Sequence, residues 1–258
     1  MKRLLLSLLL YCCIVILLGI CGVSSALGQD DSNPIVTKQL WLDYYQYFYF
    51  KPKWQFYGDA GYRSQLDTLE WMEIFARPSI LWFAGKHYAF SGGVGFFYTF
   101  NHDTVNNFEI RPWQGFKLKW PTFKHIKFSH YFRLEERFNF PVDTWDMEFN
   151  LRFRYRFGLK SKIYSWHVMQ YLFLTASVEF FANVGPQLTE KYSNRSRWGA
   201  GLGYRLNNYW DFEFHYVFQR SRTGDNDDFK TTDHLIQLKA RHYLIHKDFK
   251  TKMHPEDY

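Results

Sequence analysis

The stretch Asn150-Leu151-Arg152-Phe153-Arg154-Tyr155-Arg156-Phe157-Gly158-Leu159 alternates without a break. Every second residue is polar or small, mostly arginine, and each residue between is large and apolar or aromatic. Successive side chains of an extended strand point to opposite faces. The segment therefore reads as a strand with one cationic face and one apolar face.

The same alternation recurs along the chain. Eleven segments read as strands bounded by turn residues, at approximately 38–50, 54–64, 73–83, 87–101, 107–120, 125–139, 148–160, 166–181, 195–206, 209–221 and 233–244. Most reach ten residues or more, whereas strands of soluble proteins usually run about five or six. About ten residues tilted near 45° suffice to cross a bilayer. Connections alternate in size. Short ones fall at Lys51-Pro52-Lys53, Ala84-Gly85-Lys86, Pro121–Lys124, Ser161–Ser165 and Asn207-Asn208. Longer ones fall between them, at Gln65–Met72, His102–Asn106, Phe140–Met147, Ala182–Asn194 and Arg222–Thr232. Short turns on one side and longer loops on the other suit an outer-membrane barrel. Trp54, Trp82, Trp120, Trp166 and Trp210 each sit close to a short turn. Indole rings favour the membrane–water interface, so these five are expected to form one aromatic girdle. A soluble sandwich also alternates, but it would scatter its tryptophans over both ends.

The fold expected is an all-β, transmembrane, antiparallel up-and-down β-barrel of 10–12 strands. Single-chain bacterial barrels have even strand numbers, so a weak strand near Asp31–Thr37 or after Leu244 is expected to raise eleven to twelve. Ten strands remain if one segment is misread.

The N-terminus sets the compartment. Met1-Lys2-Arg3 precedes an apolar run from Leu4 to Ile20, followed by Ser24, Ser25, Ala26 and Gly28. A basic start, an apolar stretch and a small-residue exit make a secretory signal over 1–28. A retained anchor fits less well, because small and then acidic residues follow directly. Lipoprotein attachment at Cys21 would need a small residue where Ile20 stands. Residues 29–37 form a lead, 38–245 the barrel and 246–258 a charged tail. All three cysteines lie inside the signal, which removes thiol catalysis and thiolate metal sites from the mature chain. The formal charge of +7 falls to +5 without Lys2 and Arg3. The arginines are spread along strands rather than gathered in a patch, so nucleic acid is not an expected partner. The expected partners are outer-membrane lipids and the barrel-assembly machinery, and the expected location is the outer membrane.

Phasing by the apolar face assigns the lumen. Arg152, Arg154 and Arg156 point inward, with Arg133, Glu135 and Arg137 on the preceding strand and Glu109 and Arg111 one strand earlier. Glu179, Arg195, Arg197, Arg205, Asp211, Glu213 and His215 share that phase. A small barrel is only wide enough for side chains to fill it, and guanidinium pairs carboxylate as a bidentate fork. The leading expectation is a salt-bridged filling centred on Glu135. An arginine-lined path for anions is the alternative, and a lipid-modifying enzyme a third. For catalysis, Ser129-His130 is adjacent in sequence, but its side chains would point to opposite faces; Ser91, Ser129 and His215 share the inward phase without a motif to join them. Gly93, Gly95, Gly199, Gly201 and Gly203 face inward and leave room for neighbouring arginines or tyrosines. Gly224-Asp225-Asn226-Asp227-Asp228 has the charge of a calcium loop but not its spaced ligands. No metal or cofactor is expected.

Several of these features occur together in one family. They are the early Leu40-Trp41 strand, the Trp54–Arg63 strand, Arg111-Pro112-Trp113-Gln114 and His130-Tyr131-Phe132-Arg133-Leu134-Glu135-Glu136-Arg137. Arg152-Phe153-Arg154-Tyr155-Arg156 and the glycine-alternating Trp198–Tyr204 strand complete the set. The chain resembles the outer-membrane barrel family known as domain of unknown function 2490. The resemblance spans nearly all of the mature chain and implies a small outer-membrane barrel with no known activity.

Overall fold

Alternation is what lets each of these segments pair on both edges while its two faces meet different surroundings. The computed structural model describes residues 35–67, 69–163, 171–184, 195–222 and 229–245. It contains the strands β1 (Ile35–Lys51), β2 (Trp54–Gln65), β3 (Trp71–Phe83), β4 (Tyr88–Asn101), β5 (Asn107–Lys119), β6 (Ile126–Pro141), β7 (Glu148–Lys162), β8 (Leu172–Val184), β9 (Arg195–Arg205), β10 (Trp210–Arg222) and β11 (Phe229–Ile245). Consecutive strands pair antiparallel, and β11 returns to β1 to close the barrel.

Closure corrects the expected parity. Eleven up-and-down strands leave the first and last running in the same direction, and β1 pairs β11 in parallel from Ile35↔Thr231 to Tyr49↔Ile245. A parallel ladder satisfies backbone donors and acceptors on both edges as an antiparallel one does, so no twelfth strand is needed among the described residues. Side chains on the lumen side also cross this seam. The Thr37 hydroxyl donates to Asp233 and the Gln237 amide to Asp43, while Arg241 Nη1 donates to Tyr47 Oη at 2.6 Å.

Among the described residues, the connections between β2 and β3 and between β4 and β5 are five residues each, and that between β5 and β6 is six. β7 runs on to Lys162, two residues past its expected end, and the described part of β8 spans Leu172–Val184. The turn between β5 and β6 carries its own bridge, Phe123↔Ile126. We call the end with the Pro52-Lys53 turn the turn end and the opposite one the loop end. The expected signal and lead through 34, Trp166, the 224–228 acidic stretch and the tail after 245 lie outside the described residues.

The two faces invert the usual soluble pattern. Outward positions expose Leu42, Ile74, Ile80, Phe90, Phe96, Phe153, Phe180, Leu202, Phe212, Phe214 and Leu238, while inward positions bury Asp43, Asp59, Glu109, Glu135, Glu179, Asp211, Glu213 and Asp233. Isolated exposed apolar residues are ordinary, but a contiguous apolar wall is not. One outward row is aromatic across seven strands, through the registered positions Trp54, Trp82, Phe90, Phe116, Phe132, Tyr155 and Phe180. Ring centroids along it lie 5.0–6.5 Å apart, the range in which aromatic pairs attract.

Candidate functional site

The lumen is where the sequence places its charges. Glu135 of β6 stands opposite Arg152 of β7 and Trp113 of β5. It is 0 % exposed. Arg152 Nε donates to Glu135 Oε2 at 2.8 Å, Arg133 Nη1 lies 3.5 Å from Oε1, and Arg111 Nη1 lies 3.9 Å from Oε2. Glu109 accepts two bidentate forks. Arg111 Nη2 and Arg137 Nη2 each donate to Oε2 at 2.8 Å, while their Nε atoms donate to Oε1 at 2.5 and 2.9 Å. Arg111 thereby links the Glu109 and Glu135 groups.

Glu179 of β8 forms a separate centre. Arg154 Nη2 donates to its Oε2 at 2.8 Å, Arg156 Nε lies 3.3 Å from Oε1 and Arg197 Nη1 lies 3.8 Å from Oε2. Arg137 and Arg154, expected around Glu135, thus have other primary partners. The reason lies in the register: Arg133 and Arg154 are directly opposite, and opposed like charges repel. Arg154 turns toward Glu179, while the Arg133 guanidinium lies 4.0 Å over the Trp113 ring. Arg195 donates to Ser221 Oγ at 3.1 Å.

Other pairs fill the rest of the lumen. Those of Glu213, His215, Asp211 and Arg205 join residues expected to face inward, whereas Arg77–Asp59, Arg63–Glu73 and Arg241 lie outside that expectation. Glu213 is held by Arg241 Nε and His215 Nε2, both at 2.7 Å. Asp211, also 0 % exposed, accepts from Arg205 at 2.7 and 2.9 Å and from Tyr243 at 3.3 Å. Arg77 pairs with Asp59, and Arg63 with Glu73 at 2.9 Å. Guanidiniums also stack on inward aromatics. Arg63 lies 4.3 Å from Trp41 and 4.4 Å from Phe75, Arg111 3.9 Å from Phe97, and Arg197 4.8 Å from Trp41 and 4.7 Å from Phe181. Such stacks are favourable where water is excluded. The signal was available in Gln39-x-Trp41-x-Asp43 and Glu73-x-Phe75-x-Arg77, which alternate with the same period as β7.

The inward glycines make space for several kinds of neighbour, Arg77 and Phe97 beside Gly95 among them. A Cβ on Gly203 would lie 2.2 Å from the Phe173 ring, and one on Gly201 2.6 Å from His215 Nδ1. The candidate catalytic groups have other partners: Ser91 Oγ lies 3.4 Å from Tyr131 Oη, while His215 is engaged by Glu213. His130 faces outward, with Nδ1 2.8 Å from Tyr155 Oη. Of the expected girdle, Trp54 and Trp82 are registered neighbours and outward. Trp120 is exposed with its ring 6.0 Å from His130, and Trp210 stacks on His242 at 4.2 Å. An apolar furrow of about 790 Å³ runs over β8–β2 between Leu42, Tyr44, Ala60, Leu202, Phe212 and Ala240. Its lining also includes the inward residues Asp43, Glu213 and Lys239.

Taken together, the closed sheet, apolar exterior and ion-paired interior define a closed all-β barrel with a charged lumen. The family model described as "Protein of unknown function (DUF2490)" matches residues 38–230, and the chain belongs to that family. Among solved structures it is similar to one described as the NanC porin in a rhombohedral crystal form. That similarity has a TM-score of 0.44 and 9 % sequence identity, and covers 71 % of this chain and 82 % of that one. No curated protein matches the chain.

Proposed function

We propose that the chain is an outer-membrane barrel whose lumen is held shut by its own ion-paired and aromatic side chains. In this reading it is a structural barrel rather than a pathway. The observation that carries the proposal is the burial of Glu135, Asp211, Phe97, Phe181 and Leu235 on inward positions, where an open channel would wet them. The exposed apolar wall suits lipid as its solvent. Export by the leader at 1–28 and insertion by the barrel-assembly machinery belong to the same reading. A narrow anion-biased channel is the second reading, favoured by lumen cations such as Lys117 and Lys239 that form no hydrogen bond or ion pair among the described residues.

Fractionated cells are expected to yield the mature chain with the outer membrane, migrating differently before and after boiling. Liposomes carrying the refolded chain should not swell in an isotonic small sugar. Recovery in the soluble periplasm without a heat-dependent shift would contradict the location, and rapid swelling would contradict the closed lumen.

A further inference from the structure

The two ends of the barrel differ in the sign of their exposed charge. Around the turn end, Lys51, Lys53, Lys86, Lys124 and His125 are exposed. The described connections there, 52–53, 84–87, 120–125 and 206–209, hold no aspartate or glutamate. Asp211, the second residue of β10, is 0 % exposed and forked by Arg205. The loop end is the reverse. Asp67, Glu70, Asp103, Asp143, Asp146 and Glu148 are exposed on its described residues. Against them stand Lys38, whose backbone amide donates to Asp67, and His102, 2.7 Å from Asp103. Arg220 is exposed further along β10.

Aromatic side chains fix the depth of the turn-end cations. Lys53 precedes Trp54, Lys86 stands two residues before Tyr88, and Trp120 and Phe123 share a turn with Lys124. Trp54, Trp82, Tyr88, Trp120 and Phe123 are each between 40 % and 63 % exposed. Lys124 Nζ lies 5.6 Å from the Phe123 ring. Two polar rings join them on the outer wall, His130 at 6.0 Å from Trp120 and His242 at 4.2 Å from Trp210. Tryptophan and tyrosine settle where acyl chains meet headgroups. A lysine beside them extends its charge into the headgroup layer while its stem stays on apolar surface. Lysines set over outward aromatics therefore meet lipid headgroups, whereas a soluble partner docking end-on would not need the aromatics.

We propose, building on the membrane reading above, that the turn end is a binding surface for anionic phospholipids of the leaflet in which it stands. Its exposed ammonium groups would pair with headgroup phosphates that carry a net negative charge, and the acidic loop end would repel the same lipids. The residue type agrees. Among the described residues the exposed long-chain cations of the turn end are all lysines. Lysine is a hydrated point charge on a flexible stem and can follow a mobile headgroup, while arginine is preorganised for the fixed carboxylates of the lumen.

The test uses the full chain refolded into phosphatidylcholine vesicles. Its tryptophan fluorescence is quenched by phosphatidylglycerol or phosphatidylcholine brominated near the headgroup end of the acyl chain, and the two relative binding constants are compared. Phosphatidylglycerol should be favoured about fivefold, the weight of one lysine beside an anionic surface. The preference should vanish in about 1 M potassium chloride, where charges are screened beyond roughly 3 Å. Replacing Lys51, Lys53, Lys86 and Lys124 together by glutamine should abolish it, whereas Lys38→Gln with Arg220→Gln at the other end should leave it unchanged. If the fourfold variant does not fold, the salt series on the parent decides. Insertion of the parent with equal constants for the two lipids would overturn this surface alone, and failure to insert would overturn the membrane reading with it. Equal constants together with binding of soluble polyglutamate would make the turn end a dock for an acidic protein, against the proposal.

Discussion

Glu135→Ala is expected to lower stability by about 3–5 kcal/mol, the typical cost of deleting one partner of a buried ion pair. The physical reason is the company Glu135 keeps. Its carboxylate is fully buried and lies within 4 Å of guanidinium nitrogens from Arg152, Arg133 and Arg111. Arg111 would retain Glu109, and Arg133 would retain the Trp113 ring and the Tyr131 hydroxyl. Arg152 has no second carboxylate among the ion pairs of the described residues, so it takes the largest penalty. Glu135→Gln keeps an acceptor of the same shape and should be milder. Urea denaturation in detergent, followed by gel mobility, checks both. Equal resistance of Glu135→Ala and the parent would mean that water screens the site and that the lumen is a wet lining.

Phe153→Arg is expected to damage folding more than Arg154→Gln, although the residues are neighbours. Phe153 is 40 % exposed on the outer wall, one outward step from Tyr155 at the midpoint of β7. A cation facing lipid near mid-membrane costs roughly 2–4 kcal/mol. Arg154 faces the lumen, where Glu179 retains Arg156 and Arg197 after Arg154 is lost, and a glutamine amide can still donate to it. Yields of folded, heat-shifting protein in outer-membrane vesicles provide the comparison. If the two variants fold equally well, the facing of β7 is wrong.

The facing of β7 was legible in its sequence because a period of two decides it, and the same period separates Glu109, Arg111, Glu135 and Glu179 from the lipid side. Pairing was less legible. Arg154 is two residues from Arg152 and looks equally able to reach Glu135, yet it belongs to Glu179 because Arg133 stands opposite it. That choice depends on three strands at once. Parity left no local mark either: β1 and β11 alternate like the other strands, and nothing in a strand says that its second neighbour runs parallel.

The central claim is that the inward side chains close the barrel. Planar-bilayer recording of the refolded chain tests it most directly. Inserted protein, verified by its heat-dependent mobility, should give no steady conductance above the bare membrane in potassium chloride. Stable single-channel steps with a reversal potential biased toward chloride would contradict the account and make the arginines and lysines the lining of an anion path.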